Sequence, residues 1–168
     1  MSSILGFPNP VNEVAARVVA GCVVVLCAVT LALTLGFGSG WLWLTVPLAY
    51  GFLARVATGP KLSPLGQFAT RVAAPRIGHA KLVPGPPKRF AQAMGATMSV
   101  AALVLHAAGF ETAALVFVGL ILVAATLESV FALCLGCKAF ALLMRAGVIP
   151  EDVCAECNDI SLRLRQPA

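Results

Sequence analysis

Four long apolar runs dominate the pattern of hydrophobic and polar positions along the chain. They cover approximately residues 18–37, 41–57, 90–108 and 112–133. About 20 consecutive apolar residues are enough for an α-helix to cross a hydrocarbon layer of about 30 Å. Because lipid offers no hydrogen bonds to the backbone, each crossing segment must satisfy its own peptide groups. The pattern therefore predicts an all-α fold, an integral membrane bundle of four transmembrane helices.

Short turns join these runs in pairs. Gly38 and Gly40 follow the first run, and Gly109 separates the third run from the fourth. Glycine readily adopts the backbone conformations that tight turns need, so we expect two helical hairpins. The four-span membrane domain then takes residues 1–145, and residues 146–168 form a cysteine-bearing C-terminal tail.

The long connection between the two hairpins is basic. From Arg55 to Arg89 it carries seven Lys or Arg residues and no Asp or Glu. Ser63 followed by Pro64 is typical of a helix start, and apolar residues then recur at helical spacing as far as Pro75. This segment is predicted to be a short amphipathic helix that lies on the membrane surface.

The distribution of basic residues also predicts the orientation of the chain. The two tight turns contain no Lys or Arg, in contrast to the central connection. Segments rich in Lys and Arg stay on the cytoplasmic side of a membrane. We therefore expect a multi-pass protein of the cell membrane whose central connection, interfacial helix and both termini are cytoplasmic.

The composition agrees with a membrane location and excludes an ordinary soluble domain. Hydrophobic side chains make up 60% of the 168 residues and charged ones 11%, whereas about a quarter of the residues in a typical soluble protein are charged. The net charge of +5 would suggest nucleic acid in a soluble protein, but most of it lies in the central connection. We expect the lipid bilayer, and no nucleic acid, as partner.

Two C-x-x-C pairs carry the candidate chemistry. Cys134 and Cys137 directly follow the fourth apolar run, and Cys154 and Cys157 lie in the tail. Paired thiols at this spacing either bind a soft metal or cycle between dithiol and disulfide. Because cytosolic thiols are kept reduced, a metal site or a working thiol is favoured over a structural disulfide.

Thiol redox or sulfur relay with a soluble partner is the first functional hypothesis. Lys138 adjoins Cys137, and a nearby cation stabilises a thiolate, so Cys137 is predicted to be the nucleophile and Cys134 the resolving thiol. Acidic residues surround the tail pair and oppose its ionisation, so electrons or sulfane sulfur would pass from one pair to the other. The expected partner is a thioredoxin-like or sulfurtransferase-like protein, and an enzyme of this kind would be thiol-dependent.

Two alternatives for the cysteines stay open. The spacing C-x2-C-x16-C-x2-C falls in the range of four-thiolate zinc sites, so Cys134, Cys137, Cys154 and Cys157 would together hold a structural zinc ion in a membrane scaffold. Otherwise the cysteines serve only for packing. Cys22 and Cys27, within the first apolar run, are expected to behave as small hydrophobic residues.

Glu128 is the acidic residue inside the fourth apolar run. An unpaired carboxylate at membrane depth is costly, and Arg17 and Arg55 lie at a similar predicted depth. We therefore predict a structural ion pair between Glu128 and one of these arginines. A proton or ion path through a small transporter or channel subunit is the alternative, and it would require a homo-oligomer to form a pore.

Three short motifs extend over nearly the whole chain. They are Gly59-Pro60 with Ser63-Pro64, Pro87-Lys88-Arg89-Phe90-Ala91, and Glu128-x-x-Phe131-x-x-Cys134-x-Gly136-Cys137. With these motifs the chain resembles the bacterial membrane family named Domain of Unknown Function 4395. The resemblance implies the four-span plan and singles out the Cys134 pair, but it implies no activity. The tail pair is an extension beyond the usual core of that family.

Overall fold

The computed structural model describes residues 7–78 and 81–154, which are almost entirely helical. The α-helices are α1 (Glu13–Phe37), α2 (Thr45–Thr58), α3 (Pro64–Phe68), α4 (Ala74–Ile77), α5 (Gly85–Ala107), α6 (Glu111–Phe131) and α7 (Leu135–Arg145). Two 3-10 helices (Ser39–Leu44 and Glu151–Cys154), a π-helical turn (Ala69–Ala73) and the short strands β1 (Val11–Asn12) and β2 (Leu82–Val83) complete the described part. The predicted all-α fold is confirmed in this part of the chain.

Within the described ranges, three helices are long and apolar enough to cross a membrane: α1, α5 and α6. The predicted second span takes a different form, a 3-10 helix followed by the 14 residues of α2. Pro47 explains the change, because proline is tolerated in the first turn of an α-helix but not in its interior. The α-helical geometry therefore begins at Thr45, and the residues before it are wound more tightly.

The four long helices pack in the order α1, α6, α5, α2. Helix α1 lies mainly against α6, α6 against α5, and α5 against α2. The predicted hairpin of α5 and α6 is therefore packed along its length, whereas α1 and α2 touch at few positions and are held together through the other pair. The shared core includes Val23, Leu42, Phe52, Val118 and Ile121.

Small residues on α5 let its neighbours approach closely. A Cβ atom on Gly95 would collide with the ring of Phe52 on α2, and Ser99 is fully buried. At Ala91 the neighbour is Gly136 of α7, where an added Cβ would lie 2.5 Å from Ala91 Cα. This stripe of small residues works as a packing surface, as in many membrane helices.

The central connection contains the helix that the sequence predicts. Ser63 Oγ accepts the Gly66 backbone N–H (3.2 Å) and caps α3. The helix continues past Pro75 into α4, and the turn before the proline is π-helical. Proline has no N–H to donate to the preceding turn, which explains the change in winding. Phe68 and Val72 remain exposed, which suits a membrane-facing surface. Its position on the membrane stays a prediction.

A small antiparallel ladder fixes the N-terminal segment to this connection. Val11 pairs with Val83 and Asn12 with Leu82, and the Lys81 ammonium lies 2.8 Å from the Glu13 carboxylate. The sequence analysis did not predict these strands, because two residues are too few to form a recognisable pattern. They place Lys81 and β2 beside the start of α1.

Candidate dithiol site

The first C-x-x-C pair lies at the start of a new helix. Helix α6 ends at Phe131, and Ala132 adopts a left-handed conformation (φ 54°) that turns the chain. Cys134 is then the N-cap of α7, and its Sγ accepts the backbone N–H of Cys137 at 3.3 Å. Because α6 and α7 are separate helices, the directions of the two cysteine side chains do not follow from the helical periodicity of the fourth apolar run.

The two sulfur atoms of the pair lie next to each other. Cys137 donates its thiol hydrogen bond to Cys134 Sγ, and the two Sγ atoms are 2.7 Å apart. Both are free thiols in the structure. Since a disulfide bond is about 2.05 Å long, a small movement of the side chains is enough to join them.

The electrostatics distinguish the two thiols. The hydrogen bond from Cys137 lowers the pKa of Cys134, and Lys88 acts in the same direction against the effect of burial. Donating that hydrogen bond raises the pKa of Cys137, and burial raises it further. The direction of these effects favours the thiolate on Cys134, which lies at a helix N-terminus. The nucleophilic role of Cys137 beside Lys138 stays a prediction; in the structure Lys138 is exposed, and the cation that acts on both thiols is Lys88.

Lys88 is also the partner of Glu128. The Lys88 ammonium lies 2.7 Å from Glu128 Oε1, and the two side chains are only 8% and 14% exposed. The structure thus gives Glu128 an ion pair, as the cost of an unpaired carboxylate requires, but with a partner other than the predicted Arg17 or Arg55. Helix α5 begins at Gly85, before the predicted start of the third span at residue 90. Lys88 therefore lies near the start of α5, alongside the end of α6.

The two arginines have other roles. Arg17 donates hydrogen bonds to the carbonyl oxygens of Ser129 (3.1 and 2.9 Å) and Val130 (3.2 Å). These carbonyl oxygens lie in the last turn of α6, where no later N–H group of the helix can bond to them. Arg17 therefore caps the C-terminal end of α6. Arg55 is 5% exposed and donates from Nε to Gln92 Oε1 (2.7 Å) and from Nη1 to Ser63 Oγ (3.2 Å).

Two cavities meet at the dithiol. An outer cleft of about 660 Å³ is lined by both cysteines, by Lys88 and by the exposed Lys138. An inner cavity of about 230 Å³ extends into the helical bundle and is lined by Cys134, but not by Cys137. Cys134 therefore faces both spaces. It is the residue that lines both the inner cavity and the outer cleft.

The tail returns to the same helix. Cys154 is buried against Phe140 and Met144 of α7, and it is disulfide-bonded. Cys157 lies outside the described residues. Among the residues that the structure describes, no group of three or more His, Cys, Asp or Glu side chains is arranged to hold a metal ion. The four-thiolate zinc site is therefore not assembled by the described residues, and it stays a prediction.

Residues 11–145 match the model of the family described as Domain of unknown function (DUF4395). The chain belongs to this family. No curated protein and no solved structure matches the chain. The matched range ends at the last residue of α7, so it includes the first cysteine pair and leaves the second outside.

Two of the three motifs that carried the resemblance to DUF4395 meet in space. Lys88 of the second motif pairs with Glu128 of the third, and Ala91 of the second is in close contact with Gly136 of the third. Lys88 is the site residue that the sequence analysis missed as a functional group. Its place in the second motif was a signal, but nothing in the sequence showed that this motif packs against the cysteine motif.

Proposed function

We propose that this DUF4395 protein is a membrane-bound thiol–disulfide relay in which Cys134 is the nucleophile and Cys137 the resolving thiol. The observation that carries the proposal is the position of the Cys134 sulfur. It caps α7, lies 2.7 Å from Cys137 Sγ and lines an open cleft. A helix N-terminus and a nearby cation both favour the thiolate, which is the reactive form of cysteine.

The reaction is a two-electron exchange with a soluble protein. The Cys134 thiolate attacks the disulfide of a thioredoxin-like or sulfurtransferase-like partner in the outer cleft and forms a mixed disulfide. Cys137 then attacks Cys134 Sγ, which forms the Cys134–Cys137 disulfide and releases the partner as a dithiol. Two electrons and two protons pass to the partner, and the reverse steps regenerate the reduced pair.

The Lys88–Glu128 pair positions the charge in this step. Lys88 interacts electrostatically with both thiols and stabilises a thiolate on either of them. Glu128 holds the Lys88 ammonium in place at 2.7 Å, and its own negative charge opposes the thiolate. The balance of these two opposite charges therefore determines how strongly the pair favours a thiolate.

The tail disulfide is a further participant in the proposed relay. Cys154 packs on Phe140, one helical turn beyond Cys137 on α7. Thiol–disulfide exchange between the Cys134 pair and the disulfide of Cys154 would transfer electrons from the Cys134 dithiol to the tail without a bound cofactor.

A four-span topology with a cytoplasmic dithiol belongs to the same proposal. The 3-10 helix and α2 together rise about 33 Å, from six residues at ~2.0 Å and 14 at ~1.5 Å. That length matches a hydrocarbon layer of about 30 Å. An even number of spans puts both ends of the membrane domain on one side. The basic central connection supports the cytoplasm as that side.

The test uses the aromatic disulfide DTNB on purified, reduced protein, with modified cysteines located by mass spectrometry. Wild-type protein should form the Cys134–Cys137 disulfide, because the resolving thiol expels the aromatic group. Cys137→Ser should instead keep a stable mixed disulfide on Cys134, and Cys134→Ser should lose the fast reaction. Cys27→Ser is the matched control, since Cys27 is a buried free thiol within α1. A stable mixed disulfide on Cys134 of the wild-type protein would overturn the proposal.

A further inference from the structure

The inner cavity connects the nucleophilic sulfur with the apolar interior of the bundle. It extends from Cys134 and Glu128 to Leu120 on α6, and eight residues of helix correspond to about 12 Å. Most of its wall is aliphatic, contributed by α1, α5 and α6. Met94 and Leu120 keep 38% and 51% of their surface accessible, as expected for a cavity that opens to the lipid. A molecule that reaches Cys134 from this side must dissolve in the bilayer.

The polar end of the cavity offers hydrogen-bond donors. Arg55 and Gln92 both line it, and the Arg55 Nε bond fixes the amide with its oxygen toward the guanidinium. Within the described ranges, Arg55 Nη2 and Gln92 Nε2 make no hydrogen bond. Neither atom is among the fully buried polar atoms that lack a partner, so each keeps some accessible surface. Two donors therefore remain accessible in the cavity that Cys134 lines, whose walls are otherwise apolar except for Glu128. Such a site suits a ligand with an apolar body and a carbonyl oxygen.

The volume limits the size of that ligand. About 230 Å³ is below the range of about 300–1,000 Å³ that is usual for drug-sized molecules. The cavity thus holds a head of one or two rings but not a complete lipid. An attached isoprenoid chain would have to leave through the open side near Met94 and Leu120.

We propose that the inner cavity binds the ring of a membrane quinone, which is the electron acceptor of the Cys134–Cys137 dithiol. This inference rests on the proposed thiol relay and names its second substrate. Arg55 Nη2 and Gln92 Nε2 donate hydrogen bonds to a quinone carbonyl oxygen, and Cys134 faces the ring. The soluble partner uses the outer cleft and the quinone uses the inner cavity, so each reaches the same sulfur from its own phase.

The step balances without any further reactant. The dithiol loses two electrons and two protons, and one S–S bond forms between Cys134 and Cys137. The quinone gains the two electrons and two protons, and two O–H bonds form on the resulting quinol. The soluble partner acts here as a dithiol donor, in the reverse of the exchange proposed above: it reduces the new disulfide through the outer cleft and becomes a disulfide itself, which completes the cycle.

The experiment mixes reduced protein in phospholipid vesicles with a short-chain ubiquinone and follows quinone absorbance and the Cys134–Cys137 disulfide. One quinone should be consumed for each disulfide formed. Ala124→Phe fills the cavity wall and should slow the reaction about tenfold or more, a loss of about 1.4 kcal/mol. Val123→Phe is the matched control. Val123 directly precedes Ala124 on α6, is 57% exposed and does not line the cavity.

A second variant keeps the test decisive if Ala124→Phe does not fold. Gln92→Leu should raise the quinone concentration at half-maximal rate, since it removes a donor without filling the cavity. An unchanged value would overturn the proposal, as would equal rates for Ala124→Phe and Val123→Phe. The DTNB reaction of the same sample separates the two ideas. Protein that forms its disulfide with DTNB but not with quinone refutes the quinone site and leaves the thiol relay standing, whereas failure with both reagents refutes the relay itself.

Discussion

The ion pair between Lys88 and Glu128 makes a quantitative prediction about stability. The two side chains are 8% and 14% exposed, with 2.7 Å between Nζ and Oε1. Removing one partner of a buried pair leaves an unbalanced charge and costs about 3–5 kcal/mol, whereas replacing both by uncharged residues is often neutral. We expect Lys88→Met and Glu128→Gln each to destabilise the protein, and the double variant to be much more stable than the sum of the two losses implies.

The two single variants should not be equal. Arg55 is a second buried cation that interacts electrostatically with Glu128. Without Lys88, Glu128 still has Arg55 nearby. Without Glu128, Lys88 and Arg55 are two buried cations with no carboxylate between them. The loss for Glu128→Gln should therefore lie near the upper end of the range and the loss for Lys88→Met near the lower end.

The assay is thermal unfolding in a mild detergent, followed by the helical circular dichroism signal. For a chain of this length, a loss of several kcal/mol lowers the midpoint by roughly 10 °C. Lys138→Met is the control for removal of an exposed lysine, and it should change the midpoint little. Strictly additive losses in the double-mutant cycle would refute the pair. A larger loss for Lys88→Met than for Glu128→Gln would refute the role of Arg55.

Three further predictions follow from the site and the topology. The pKa of Cys134 is lowered, so the midpoint of the rise in its alkylation rate with pH should lie below the ordinary thiol value of about 8.5. A midpoint at or above that value contradicts the structure. Gly136→Ala should destabilise the protein by about 1–3 kcal/mol because the new methyl group meets Ala91, whereas Gly21→Ala, with open space around it, should not; equal melting points would count against the close contact. In a protein whose native cysteines are replaced by serine, an impermeant label applied outside cells should modify Gly40→Cys and not Arg76→Cys, and the reverse pattern would place the dithiol outside.

The helical membrane architecture was predictable because lipid imposes a strong constraint on sequence. Apolar runs of about 20 residues have few alternatives to a helix, and α1, α5 and α6 lie close to the predicted spans. Helix α1 begins earlier than predicted, at Glu13, because the Asn12 side chain caps its first turn. The helix therefore extends beyond the apolar run into polar residues, which a search for apolar runs does not detect.

The geometry of the site was harder to predict because it depends on one local turn and one distant contact. The left-handed conformation of Ala132 breaks the chain between α6 and α7, although alanine gives no sequence signal for such a break. Lys88 and Glu128 are 40 residues apart in the chain, so their pairing requires knowledge of which helices pack together. The cysteine motif itself was identifiable, but the identity of its more acidic thiol was not.

The most direct test of the thiol relay is a combined metal analysis and thiol titration of the purified full-length chain, with and without reductant. The relay predicts metal-free protein in which the thiols of Cys134 and Cys137 disappear together on mild oxidation and return together on reduction. One tightly bound zinc ion per chain, with all four thiols of the two C-x-x-C pairs protected from the reagent, would contradict the relay and support the structural zinc site.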